Sequence, residues 1–258
     1  MLVLTTAQIE GWIAGVFWPF LRIGACLMVA PVFGAQYVTP RIRIVLAGAL
    51  TLMALPLLPP PPVFPVLSAD GIVTTIQQLL IGVALGFLLQ LMFDALTLGG
   101  QILANGMGLE FAYNLDPLRG VQAPTLGQFY SLIGTLVFLA LDGHVALIET
   151  LVESFRGLPV GPVGLSPAEL HQMANWGGQL FAGALRVALP GMTALLVVNL
   201  AFGVTSRAAP ALNLFAVGFP ITLVFGLVIV LLSLPVLQGV VRGLIDGAFL
   251  FMRALTGG

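Results

Sequence analysis

The stretch Ile72-Val-Thr-Thr-Ile-Gln-Gln-Leu-Leu-Ile-Gly-Val-Ala-Leu-Gly-Phe-Leu-Leu-Gln-Leu-Met-Phe93 decides the fold class. It holds no Asp, Glu, Lys or Arg. It is longer than the roughly 20 apolar residues one α-helix needs to cross a hydrocarbon core. Its apolar positions do not alternate with polar ones, so it does not read as a strand with one wet face. Runs of the same kind lie at 12–33, 126–148, 178–202 and 208–234, with a shorter one at 44–58. Together they predict an all-α, membrane-type chain with about six long apolar helices. A transmembrane barrel would need repeated short alternating segments, and none of any length is found.

The composition agrees with this reading. Hydrophobic residues make up 59% of the chain and charged residues 7%, with a mean hydropathy of +1.10. Soluble domains carry about 25% charged residues. So few charges cannot coat a globule, and the remaining apolar surface must face lipid or other apolar subunits. The net charge of -1, with nine Arg and no Lys, offers no basic surface to a nucleic acid. Cys26 is the single cysteine, which excludes an intramolecular disulfide and a cysteine metal cluster. The opening residues lack a cationic region followed by a cleavage site, so they read as mature sequence with Thr5 or Thr6 capping a first helix.

Three connections separate the runs. Pro59-Pro60-Pro61-Pro62-Val63-Phe64-Pro65 predicts a polyproline-like link. Residues 94–125 read as a long, glycine-rich and still apolar connection. Residues 156–176 contain Ser166-Pro167-Ala168-Glu169, which predicts an N-cap, a proline at the first helical position and an acidic first turn. Pro19, Pro31, Pro56, Pro190, Pro220 and Pro235 lie in or beside the long runs and predict bent helices. Cationic residues are too evenly spread to fix an orientation, although Arg41 and Arg43 place the first connection on the cytoplasmic side.

No catalytic constellation, cofactor fingerprint or metal site is evident. His144 and His171 lack ligand spacing. Asp142-Gly143-His144 reads as a helix end at an interface rather than a proton relay. Arg22 and Arg186 interrupt apolar runs, and an unpaired arginine in lipid costs at least roughly 2.5–3.5 kcal/mol. They are therefore expected to be buried charges facing protein or water, with Asp94, Glu110 or Asp246 as partners. Gly100, Ala104 and Gly108 recur every four residues, as do Gly82 and Gly86, which predicts faces for close helix contact. The stretch Gly106-Met-Gly-Leu-Glu-Phe-Ala-Tyr-Asn-Leu-Asp116-Pro117 is too apolar for a free aqueous loop and too broken for a lipid-facing helix. Its home is expected inside an assembly, as a plug or constriction. Gly106 and Gly108 would let the backbone bend, and Met107 and Phe111 would fill the opening. Glu110 and Asp116 would help set the polarity of the opening, and Pro117 belongs to the same plug.

Several strings, in order, resemble the FliR family, called SctT in the related virulence secretion systems. They are Arg22-Ile-Gly-Ala-Cys-Leu-Met-Val-Ala-Pro31-Val-Phe-Gly34, then Pro40-Arg41-Ile-Arg43, then Met107-Gly-Leu-Glu-Phe-Ala112 with Asp116-Pro117. The most specific is Arg207-Ala-Ala-Pro210-Ala-Leu-Asn213-Leu-Phe215-Ala-Val-Gly218-Phe-Pro220. The resemblance covers essentially the whole chain. It implies a subunit of the type III protein export gate, built with FliP-like and FliQ-like subunits, joined by an FlhB-like partner and passing unfolded flagellar proteins. It implies a FliP-like part over 1–177 with the central pore loop, and a FliQ-like helical hairpin over 178–258. It places the chain in the bacterial inner membrane, in the flagellar basal body, with no cofactor and no enzymatic activity. Arg207, Pro210, Asn213, Phe215, Gly218 and Pro220, with Gly100 and Ala104, are expected at the assembly interface. The alternatives are a virulence-type gate subunit or a six-helix small-molecule or ion transporter. The transporter would require an inverted repeat and a midplane cluster of ionisable groups, and neither is evident.

Overall fold

The computed structural model describes residues 6–35, 37–60, 62, 64–109, 126–208 and 214–257. Its regular structure there is helical: α1 (Thr6–Val29), α2 (Pro40–Ala54), a short 3-10 turn (Leu55–Leu57), α3 (Ala69–Gly106), α4 (Leu126–Ala140), α5 (Gly143–Gly157), α6 (Pro167–Trp176), α7 (Gly178–Ala208) and α8 (Leu214–Leu255). By length and composition, five spans among the described residues could cross a membrane: Glu10–Val29, Pro40–Leu57, Ala69–Gly106, Pro167–Thr205 and Pro220–Leu255.

Three boundaries differ from the sequence reading. The connection expected over 94–125 is helical in its first part, because α3 runs unbroken to Gly106. Asp94, Gly99 and Gly100 are isolated helix-weakening residues within a window otherwise rich in Leu, and tertiary packing overrides a weak local propensity. The run expected at 208–234 belongs to a helix that ends only at Leu255, although Pro220, Pro235, Arg242 and Asp246 interrupt it. By contrast the apolar run 126–148 is split at Leu141–Asp142. Asp142 takes the left-handed conformation (φ 54°, ψ 27°) that a short polar side chain tolerates, and α5 starts after it. At Ser166 the hydroxyl accepts from the Glu169 amide at 3.3 Å, and the Glu169 carboxylate accepts from the Ser166 amide at 2.6 Å. This is the reciprocal cap expected from Ser-Pro-Ala-Glu.

The chain folds into two compact units, residues 1–91 with 142–177 and 245–258, and residues 92–141 with 178–244. In the first, α1 and α3 meet at Gly82 and Gly86. A Cβ on Gly82 would strike the Arg22 carbonyl and approach Ala25 Cβ to 2.8 Å; one on Gly86 would lie 2.6 Å from the Cys26 carbonyl. Only glycine permits this approach. Trp18 Nε1 donates to Thr75 Oγ1 at 3.2 Å across the same crossing. Leu147, Leu151 and Phe155 of α5 and Ala248, Phe249 and Met252 of α8 complete the apolar core. Trp176 stacks on Phe251 with centroids 5.1 Å apart.

In the second unit the C-terminal part of α3 is the hub. Gly100 and Gly127 face each other so closely that a Cβ on Gly100 would lie 2.7 Å from Gly127 Cα. Gly99 lies against Val187 and Ala184 of α7, and Phe93 packs edge-on to Phe138 of α4 at 5.7 Å. Small residues thus bring α4 and α7 onto one rod, the C-terminal part of α3. The exposure of the spans follows. Within the chain, 67% of the most apolar window of Ala69–Gly106 is buried, against 17% for Pro40–Leu57, 17% for Pro220–Leu255 and 22% for Pro167–Thr205. The outer helices keep their apolar surface for lipid or other subunits.

Candidate functional site

Three features position the residues singled out by sequence. The first is Arg22, fully enclosed on α1. Its Nε donates to Gln78 Oε1 of α3 at 2.8 Å. Its Nη1 donates to the Ser154 carbonyl at 3.0 Å and Ser154 Oγ at 3.2 Å, and its Nη2 to the Leu158 carbonyl at 2.8 Å. The guanidinium lies over the Phe155 ring, 4.0 Å from the centroid. The expected carboxylate partner is therefore replaced by neutral acceptors. The physical reason is that Ser154 lies in the last turn of α5 and Leu158 is its C-cap, where the backbone carbonyls carry the negative end of the helix dipole. The planar fork reaches both α3 and α5 at once, which an ammonium could not do. Sequence reasoning missed Gln78, Ser154 and Phe155. The adjacent Gln77 and Gln78 inside an apolar run were the available signal, since buried amides demand partners.

Arg186 differs from expectation as well. It is exposed on α7 in the single chain rather than buried. A 31-residue helix with one face packed leaves room for a charge on the other.

The second feature is the end of α3. The Leu109 amide donates to the Ala104 carbonyl at 3.1 Å and the Gly108 amide to the Asn105 carbonyl at 3.0 Å, with Gly108 at φ 77°. This paired closure with a left-handed glycine is a Schellman cap. Gly108 thus terminates a helix. Gly106 is still helical, and a Cβ there would lie 2.7 Å from Met192 Sδ of α7. Met107 is 1% exposed and lies against Gly226 of α8, where a Cβ would meet its Cε and Cγ at 2.5 Å. The point from which the next segment leaves is therefore fixed by α7 and α8. Glu110, Phe111, Asp116 and Pro117 lie outside the described residues.

The third feature is the outer surface of α7 and α8. Phe181, Leu185, Leu189, Leu196 and Leu200 of α7 are exposed, as are Val224, Leu231, Leu232 and Val236 of α8. Arg207 is exposed at the end of α7, Pro220 is exposed and Gly218 is buried on α8. Pro210 and Asn213, and the side chain of Phe215, lie outside what is described. Gly100 and Ala104, expected at an interface between subunits, are turned inward. Gly100 is closed by Gly127 and Ala104 is 2% exposed. At Gly100 the small residue serves helix contact within the chain, because Gly127 of α4 supplies the matching small residue.

Asp142 ends one helix and precedes another, with no side-chain capping bond. Among the described residues no group of three or more His, Cys, Asp or Glu could hold a metal ion. In the second unit these elements offer a closely packed α3 end with apolar, exposed faces on α7 and α8.

Residues 13–248 match the family described as bacterial export proteins, family 1. The chain is similar to the flagellar biosynthetic protein FliR of Pectobacterium carotovorum subsp. carotovorum, with 37% identity over 249 residues, which cover 96% of this chain and 95% of that protein. It is 37% identical to the protein of that name from Escherichia coli (strain K12) over 237 residues, covering 92% and 90%. The protein of that name from Bacillus subtilis (strain 168) is 26% identical over 239 residues, covering 92% of each.

Proposed function

The chain belongs to the FliR family of bacterial export proteins, and from that premise we propose that it acts as a subunit of the flagellar type III protein export gate. The observation that carries this reading is the end-to-end match to flagellar relatives, which leaves no large part of the chain unaccounted for. The same match favours the flagellar over the virulence branch. The chain is a membrane component of the flagellar apparatus, and we place it in the inner membrane, within the basal body. It works as a structural member, contributing surface and shape rather than catalysis.

Its partners follow from the outer helices. Isolated, the chain exposes apolar α2, α7 and α8 faces larger than a single soluble body tolerates. FliP-like and FliQ-like subunits would cover the α7 and α8 faces, with the 1–177 part resembling the former and the 178–258 hairpin the latter. An FlhB-like partner would join the assembly, and unfolded flagellar proteins would pass through it. The exposed Arg207 and Pro220 support a role for the α7–α8 connection in that contact. The fixed end of α3 at Gly106–Gly108 would anchor residues 110–122 as the closure of the resting channel.

A strain lacking its own FliR tests both statements. Expression of the full chain is expected to restore motility and export; stable membrane-inserted protein with neither restored contradicts the gate reading. Removal of residues 110–122 is expected to leave assembly intact while small ions leak across the membrane. Equal, tight closure with and without them shows that another element seals the channel.

A further inference from the structure

Between Glu10 and Asp70 the sequence holds no carboxylate side chain, and its charged residues are Arg22, Arg41 and Arg43. Arg22 is enclosed, so the outward positive charge of this region gathers where α1 turns into α2. Arg41 is exposed and Arg43 is half-buried. Arg43 Nη2 donates to the Gly34 carbonyl at 3.1 Å and the Ala35 carbonyl at 2.6 Å, which pins the turn. Among the described residues its Nη1 meets the Met28 sulfur, at 4.0 Å, and its buried Nε meets no acceptor. No carboxylate among the described residues offsets either guanidinium. Thr39, the N-cap of α2, makes no side-chain bond to the first turn. The positive end of the helix dipole therefore adds to the same spot. Tyr37, 77% exposed, lies two residues before Thr39 in the chain. An aromatic ring and arginines at one end of an apolar helix are the residues found at headgroup level.

The surface leading away from this cluster is apolar. Ile42, Val45, Ala49 and Leu52 follow one another at intervals of three and four residues, all exposed, while Ala47, Thr51 and Ala54 are buried on the opposite face. At about 1.5 Å per residue, Ile42 to Leu52 spans roughly 15 Å. That is half of a hydrocarbon core about 30 Å thick, the depth of one leaflet.

We propose that this face binds an anionic phospholipid. Its phosphate sits against Arg41 and Arg43, its headgroup beside Tyr37, and an acyl chain lies along Ile42, Val45, Ala49 and Leu52. Uncompensated positive charge selects an anion, and the apolar strip of one-leaflet length selects a lipid over free phosphate or an acidic protein segment. The inference requires only that the chain sits in a membrane, and it stands apart from the export reading.

The test uses the chain with its co-expressed subunits, reconstituted in vesicles of equal parts phosphatidylglycerol and phosphatidylethanolamine, then extracted in mild detergent. Lipid retained by the complex is measured by mass spectrometry. Phosphatidylglycerol is expected in clear excess. A basic residue at an anionic surface contributes about fivefold in partitioning, so Arg41→Gln is expected to lower retention about fivefold and Arg41→Lys to keep most of it. Val45→Gln with Leu52→Gln is expected to lower it as well, and excess glycerol phosphate not to displace the lipid. Equal retention of the two lipids, or retention unchanged by Arg41→Gln, overturns the proposal. Displacement by glycerol phosphate assigns the site to a free phosphate and overturns it too. Loss of partner subunits in Arg41→Gln, with lipid retention unchanged, assigns the arginines to a protein carboxylate and has the same consequence.

Discussion

Replacing Arg22 with Leu is expected to lower the unfolding free energy by about 3–5 kcal/mol, since buried acceptors left without donors cost about 1–3 kcal/mol each. Gln78 Oε1 and the Leu158 carbonyl lose their donor, and the Ser154 carbonyl keeps only its helical one. The stack on Phe155 is lost as well, which is worth about 0.5–2 kcal/mol. Leucine fills part of the volume but satisfies none of these groups. Arg22→Lys keeps the charge but cannot reach α3 and α5 together, so an intermediate loss of about 2–3 kcal/mol is expected. Denaturant unfolding of the detergent-solubilised complex measures both. A double variant with Gln78→Leu should lose less than the sum, because the two side chains share one bond. A change below about 0.5 kcal/mol for Arg22→Leu, typical of surface substitutions, would show that the arginine holds nothing.

Gly82→Ala is the second large effect. The added Cβ has no vacant direction, because it meets the backbone carbonyl of Arg22 and Ala25 Cβ rather than the tip of a flexible side chain. Helices α1 and α3 must separate, and overpacking of this kind costs about 1–3 kcal/mol, here at the upper end because backbone opposes it. Separation also strains the Trp18–Thr75 and Arg22–Gln78 bonds that cross the same contact. The same substitution at Gly48 meets nothing within 4 Å. There the helix propensity of alanine should stabilise by up to about 1 kcal/mol. Opposite signs at the two positions in thermal unfolding are expected. Equal effects would mean that the α1–α3 contact is looser than the structure has it.

These two sites also show what sequence could and could not reveal. The Gly82 and Gly86 spacing is local, and a four-residue rhythm of small residues in an apolar helix has one physical use, close contact. The rhythm says nothing about which helix arrives, and for Gly100 the partner proved to be Gly127 of the same chain. The Ser166 cap was legible for the same reason of locality: its donors and acceptors lie within one turn. Arg22 was recognisable as costly from its apolar neighbours. Its partners were not, because Ser154 and Leu158 contribute backbone carbonyls, which every residue possesses. At the end of α3 glycine serves two purposes that sequence does not separate: Gly108 caps a helix, and a glycine there also fits a backbone bend in a plug. The length of α3 and α8 was underestimated where charges and glycines signal an end that tertiary packing overrides.

The role of the chain depends on what covers the apolar faces of α7 and α8. The most direct measurement is purification of the tagged chain in mild detergent from cells co-expressing FliP-like and FliQ-like subunits, with mass determined by light scattering and composition by mass spectrometry. A single large hetero-oligomer containing this chain with both other subunits is the expected result. A monodisperse, folded monomer or symmetric homo-oligomer that leaves both subunits unbound would contradict it.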